Sequence, residues 1–234
     1  MPARLATTEL ERLGLCLAAL AGYTDAIGFI SLKGFFISFM TGNSTRLSVD
    51  LAQDRWRAAI TGLVIVCLFV IGVAAGSAFG HRWPRSRMAG VLSLVTALLA
   101  IGALLAAAGE RTEAMAAMVL AMGAENTVFE SDRRVSFGLT YQTGTLVRIG
   151  QGLAARLAGR PSQKLGRDIG LWVSLTAGAV AGALCLGHMG LAALWVMVAY
   201  AGVLALASLH LVASGSVREP ADGEGAGGAG SGST

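Results

Sequence analysis

The sequence predicts an all-α membrane protein: six transmembrane helices in two inverted three-helix repeats, with broken or re-entrant Thr-Gly segments. Three observations carry that expectation. Residues of the AVILMFWYC set make up 54% of the 234, and only 14% are charged, against roughly a quarter in a soluble domain. The apolar residues come in long blocks rather than amphipathic stripes, and the mean hydropathy is +0.65. A polar motif at 22–46, GYTDAIGFISLKGFFISFMTGNSTR, returns in fainter form in the second half of the chain.

The blocks fall at about 10–32, 58–80, 88–108, 114–129, 168–187 and 189–213. A span takes about 20 mostly apolar residues, with about 17 as the lower limit. The first block carries Asp25 well inside it; it is longer than a signal-peptide core, and no A-x-A site follows it. The second ends in GVAAGSAFG, with Gly72, Gly76 and Gly80 four apart. The third is plainly apolar, while the fourth is short and interrupted by Glu125 and Asn126. The fifth repeats the four-residue spacing at Gly178 and Gly182, a pattern that lets helix backbones approach closely in lipid. A single integral membrane domain is thus expected over 1–213, with repeat 1 at about 10–108 and repeat 2 at about 114–213. The Gly/Ser-rich tail 214–234 reads as disordered.

Thr41-Gly42 falls on Thr143-Gly144 and Arg46 on Arg148 at a shift of 102, and Gly22 falls on Gly123 and Asp25 on Asn126 at 101. Three crossings per half is an odd number, so the second half must sit upside down relative to the first. Inverted repeats of this kind recur in secondary transporters, with the site where the repeats meet. If all six blocks span, 13 of the 18 Lys and Arg fall on the side of both termini and of the HRWPRSR loop. The positive-inside rule then puts the N- and C-termini in the cytoplasm.

A carboxylate at the depth of Asp25 costs on the order of 3 kcal/mol on insertion scales, so it faces a partner or a water-filled cavity. Two readings stay open: a structural pair, for instance with Lys33 or Arg46, and a proton or cation site. Glu125 and Asn126 allow the same choice, with an interfacial position favoured because the block ends near them. The segments FFISFMTGNSTRLSVDLA and FGLTYQTGTLVRIGQGLA are too short in apolar length to span. Thr41 or Asn43, and Thr143 or Thr145, are candidates to cap a helix start there. Gly42 and Gly144 fit a break that needs positive φ or close backbone approach. Broken backbone at membrane depth must line a cavity or be buried in protein, and exposed helix N-termini favour anions. The competing reading is an amphipathic loop at the interface. The candidate substrate- or ion-binding set is Asp25, Thr41, Gly42, Asn43, Thr45, Arg46, Glu125, Asn126, Thr143, Gly144, Thr145 and Arg148.

Cys16, Cys67 and Cys185 each stand alone in an apolar block, and His81, His188 and His210 are scattered. No metal-ligand spacing, Ser-His-Asp order, P-loop or CxxC pair occurs. No basic patch interleaves with aromatics. The expectation is therefore no enzyme, no cofactor, no metal and no nucleic-acid partner.

G-Y-x-D-A-x-x-F, then F-x-x-x-M-T-G-N-x-T-R-L, with T-G-T-L-V-x-x-G-Q opening the second half, resembles the YoaK-like family of bacterial membrane proteins, grouped under a domain of unknown function. The resemblance covers residues 13 to 210 and rests on Gly22, Asp25, Ala26, Phe29, Met40, Thr41, Gly42, Asn43, Thr143 and Gly144. It implies a bacterial inner-membrane protein of about six spans and supplies no activity. The leading expectation is a small-solute or ion transporter or channel, and the runner-up is a non-transporting membrane scaffold or accessory subunit. The expected partners are the lipid bilayer and an unidentified small solute or ion, and a homo-oligomer is compatible with the sequence.

Overall fold

The computed structural model describes residues 2–83, 86–129, 142–162 and 164–213, with the side chains of 2–7 and 212 excepted. The tail 214–234 lies outside the described residues. So do Pro84 and Arg85 of the HRWPRSR loop, and the stretch 130–141 that leads into the second Thr-Gly segment. Among the described residues all regular structure is helical. The elements are α1 (Pro2–Ser31), α2 (Met40–Ala52), α3 (Trp56–Arg82), α4 (Arg87–Ala107), α5 (Arg111–Glu125), α6 (Gln142–Leu157), α7 (Leu165–Met189) and α8 (Ala193–Ala213). A 3-10 turn, Gly190–Ala192, joins the last two.

Each apolar block has become one helix, and the two Thr-Gly segments have become the short helices α2 and α6. Among the described residues, four stretches are long and apolar enough to cross a membrane: Thr8–Ser31, Trp56–Arg82, Arg87–Ala107 and Leu165–Leu211, the last holding both α7 and α8. α5 has 15 residues; at about 1.5 Å per residue it is shorter than a hydrocarbon core. Ten of those residues are buried, so α5 meets protein rather than lipid on most of its surface. That is how an element of a membrane protein can carry Glu125.

Burial also sorts the longer helices. In α1, 61% of the apolar window is buried, against 22% in α3, so α1 is central and α3 peripheral. Val70 and Ile71 on α3, Val180 and Leu184 on α7, and Val203 and Leu206 on α8 are each more than half exposed. Apolar surface of that extent belongs in lipid. Exposed Trp56 and Trp83 bracket the 27-residue α3, roughly 40 Å apart along its axis. That is the separation of the two membrane interfaces, where Trp concentrates.

The glycines explain the helix pairs. Gly178 of α7 lies against the backbone of Ala19, and Gly182 against that of Tyr23. In return Gly22 of α1 lies against Leu175 and Ala179. On the other side of the bundle Gly72 and Gly76 of α3 lie against the backbones of Leu120 and Ala124, and Gly123 of α5 against Phe69, Gly72 and Val73. A side chain at any of these six positions would meet backbone, which cannot move aside. Both pairs run parallel, because residue numbers rise together along them. α8 runs antiparallel to α1, with the Tyr23 hydroxyl donating to the Ala193 carbonyl and the Tyr200 hydroxyl to that of Cys16. α2 packs on α3, α6 on α7, and α4 bridges α5 and α8.

Candidate functional site

α1 stops where Lys33 and Gly34 adopt positive φ, 53° and 95°. The chain from Phe35 to Phe39 then has no regular structure before α2 begins. Its backbone N–H groups need acceptors, and Asp25 supplies them. Asp25 Oδ1 accepts from the N–H of Ile37 at 2.8 Å and of Ser38 at 2.6 Å, and Oδ2 accepts from the Ser38 hydroxyl at 2.7 Å. Of the two readings open for Asp25, the pairing with Lys33 or Arg46 is not found: local donors hold the carboxylate instead. Asn43, fully buried, holds the same segment: Oδ1 accepts the Phe36 N–H at 2.9 Å and Nδ2 donates to the Phe36 carbonyl at 2.8 Å. The loop between α1 and α2 is thus pinned from both helices.

Beyond that loop lies a cavity of about 530 Å³. Ser38, Phe39, Met40 and Thr41 line it from the first Thr-Gly segment, and Gln142 and Thr143 from the second. Asn126 and Phe69 complete the wall. Three residues of the sequence-derived set, Thr41, Asn126 and Thr143, therefore share one space, with Asp25 behind it through Ser38. The first turns of α2 and α6 both open onto it. An adjoining apolar groove of about 480 Å³ runs beside Asp25, Phe29 and Leu175, and shares Phe39 and Gln142 with the cavity. The cavity also lies level with the middles of α7 and α3. Gly22 packs at the middle of α7 and Gly123 at the middle of α3, and Asp25 and Asn126 each follow within one helical turn.

The remaining candidates point elsewhere. Arg46 stacks on Phe35, 4.2 Å from the ring centroid, and reaches Asp50 at 3.7 Å; Asp50 also takes Arg55 at 2.6 Å. Arg148 donates to Asp168 at 3.1 Å and to Thr145 at 2.9 Å. Both arginines tie a short helix in place and neither lines the cavity. The Thr45 hydroxyl donates to the Thr41 carbonyl within α2. The expected caps differ too: the residue before α2 is Phe39, with no side-chain cap bond, and Thr41, Thr143, Asn43 and Thr145 lie inside the helices. Gly42 and Gly144 are helical without positive φ. Gly42 is needed because the Phe39 and Phe36 rings pack against it. Glu125 is fully buried in protein, and its carboxyl oxygens accept no hydrogen bond among the described residues.

Four contributors escaped the sequence reading. Ser38 and Gln142 were single polar residues in or before apolar runs, a weak signal alone. Asp50 follows Arg46 by four, a spacing that favours an ion pair on one helix face. Asp168 opens the fifth block and pairs with Arg148, 20 residues earlier, a partnership that no local rule reveals.

The model of the family described as "Protein of unknown function (DUF1275)" matches residues 13–207. The chain is 37% identical over 197 residues to the UPF0700 transmembrane protein RA0705 of Rhizobium meliloti (strain 1021), covering 82% of this chain and 85% of that relative. No solved structure matches.

Proposed function

The chain belongs to the DUF1275 family, and from that membership and the geometry of its polar cavity we infer that it moves a small solute or ion across a bacterial inner membrane. The observation that carries this reading is the shared wall of the cavity: Thr41 from one Thr-Gly helix and Thr143 from the other, with Asn126 between. Polar groups collected from distant parts of a membrane protein around one space level with the middles of its long helices favour passage or binding of something polar.

The inverted-repeat organisation belongs to the same proposal. Exchange the halves, so that α1 trades with α5, α2 with α6, α3 with α7 and α4 with α8. The α1–α7 pair then maps onto α5–α3, α2–α3 onto α6–α7, and α4–α8 onto itself. The contacts follow residue by residue: Ala19 with Gly178 corresponds to Leu120 with Gly72, and Tyr23 with Gly182 to Ala124 with Gly76. The parallel pairs α1–α7 and α3–α5 suit six alternating crossings, with both termini in the cytoplasm. The transmembrane designation of the Rhizobium meliloti relative suits the same arrangement.

The scaffold reading draws on a different observation, the mutual satisfaction of Asp25, Asn43, Arg46 and Arg148 by the protein itself. Such pinning rigidifies α2 and α6 and leaves the cavity unexplained, which is why transport is preferred. Purified chain reconstituted into proteoliposomes should accumulate one of a panel of small polar solutes and ions, with and without an imposed pH gradient. Solute entry should fall when Thr143 is replaced by Trp. A panel that enters no faster than in protein-free vesicles favours the scaffold.

A further inference from the structure

Glu125 ends α5 with both carboxyl oxygens buried and without a hydrogen-bond partner among the described residues. The other acids in the interior are provided for. Asp25 accepts three hydrogen bonds, Asp50 holds Arg55, and Asp168 holds Arg148. Glu125 follows Gly123 by two residues, and Gly123 packs at the middle of α3, so the group sits level with the middle of a helix long and apolar enough to cross a membrane.

Among the described residues, the groups facing it do not offer a cation. From α1 the charge that reaches it is Asp25, and from α8 the nearby titratable group is the Tyr200 hydroxyl. α3 has no Lys, Arg, His, Asp or Glu between Arg57 and His81, and α4 has only Arg87, its first residue. α5 itself carries Arg111 and Glu113 at its far end. An ionised carboxylate with neither cation nor donor is not sustained in such a place. A metal ion in its stead would need several oxygen ligands, and no group of three or more His, Cys, Asp or Glu suited to a metal occurs among the described residues.

We propose that Glu125 is a proton-binding site: a neutral carboxylic acid level with the middle of α3 that gives up and regains its proton through the cavity bordered by its neighbour Asn126. In the forward step the O–H bond of the acid breaks and the proton passes to water in the cavity, leaving the carboxylate. The reverse step returns it, and no other bond changes. Glu125 is not itself part of the cavity wall, so on the transport reading above the link is electrostatic: loss of its proton leaves a negative charge one residue from Asn126, which borders the cavity, and favours a cation there.

The test needs no solute, so it stands or falls separately from transport. Infrared difference spectra of the full chain in lipid, wild type minus Glu125→Gln, should contain the carbonyl stretch of a neutral acid at neutral pH. That stretch should shift when wild-type protein is moved into D2O. Thr143→Trp, which crowds the cavity, should slow the shift. Absence of the band from the difference spectrum overturns the proposal, as does a band that does not shift in D2O. A D2O shift equally fast in Thr143→Trp overturns the cavity route. If Glu125→Gln does not yield folded protein, Glu125→Met serves the same subtraction, and failure of both overturns the proposal because a neutral acid tolerates a neutral replacement. A band that shifts in vesicles that move no solute would leave the proton site standing and remove transport.

Discussion

Asn43 and Phe36 grip each other across the α1–α2 loop through a reciprocal pair of hydrogen bonds, side-chain oxygen to N–H and side-chain amide to carbonyl. Asparagine matches both needs of one backbone unit, with an acceptor and a donor side by side. Within the T-G-N run Asn43 thus serves the loop, while Thr41 faces the cavity. Glycine before the asparagine leaves room for the Phe39 and Phe36 rings.

Asn43→Leu should therefore destabilise the protein by about 2–4 kcal/mol, since it strands a buried donor and a buried acceptor. Asn43→Asp should cost a similar amount, because the new oxygen faces the Phe36 carbonyl. Thermal melting of detergent-solubilised protein measures both. A melting temperature unchanged in Asn43→Leu would show that the loop does not depend on this clasp.

Asp25 yields a sharper contrast. Asparagine can keep Oδ1 for the Ile37 and Ser38 N–H groups and turn its amide towards the Ser38 oxygen, so Asp25→Asn should fold with a modest loss of stability. Asp25→Ala strands the donors, at about 1–3 kcal/mol for each one left unsatisfied, and should melt well below the asparagine variant. Equal melting of the two variants would mean that water satisfies the loop.

The helix pairing predicts a graded response to glycine replacement. Gly178→Val should weaken the α1–α7 contact and lower the yield of folded protein, because the added carbons meet the Ala19 backbone. Gly150→Val on α6, where nothing lies within 4 Å, should be tolerated. Expression and melting of the two variants side by side provide the check.

Much of this was legible because its causes are local. Long apolar blocks, the Gly-x-x-x-Gly spacing and the Thr-Gly duplication each act over one or two helices, so α3, α4, α7 and α8 could be read to within a few residues, as could the end of α1, whose polar first turns precede the apolar block. α5 was ambiguous for a physical reason: it is short because protein, not lipid, covers it. The use of Asp25 was not legible, since a backbone loop can satisfy a carboxylate as well as an arginine can, and no periodicity marks that difference. Arg46 and Arg148 looked like site residues because their partners, Asp50 and Asp168, were unassigned.

The proposed six alternating crossings with cytoplasmic termini make a labelling prediction. With Cys16, Cys67 and Cys185 replaced, single cysteines at Ser86 and Ser162 should resist an impermeant thiol reagent in intact cells, while one at Thr112 should react. Labelling of the Ser162 position from outside would make the halves parallel and remove the exchange relation between them.

The shared cavity wall predicts that α2 and α6 can be joined chemically. In the same cysteine-free background, Thr41→Cys and Thr143→Cys should be bridged by a short bifunctional thiol reagent, because both side chains border one space of about 530 Å³. The control pair Thr41→Cys with Leu157→Cys should not be bridged, since Leu157 lies at the far end of α6, about 21 Å from Thr143 by helix rise. The bridge should also block solute entry into proteoliposomes, as it ties together the two elements that line the space, and a reducible linker should restore entry on reduction. Bridging without loss of entry would leave the cavity in place and deny it the solute. Failure to bridge would separate the two Thr-Gly helices and with them the argument for a common site.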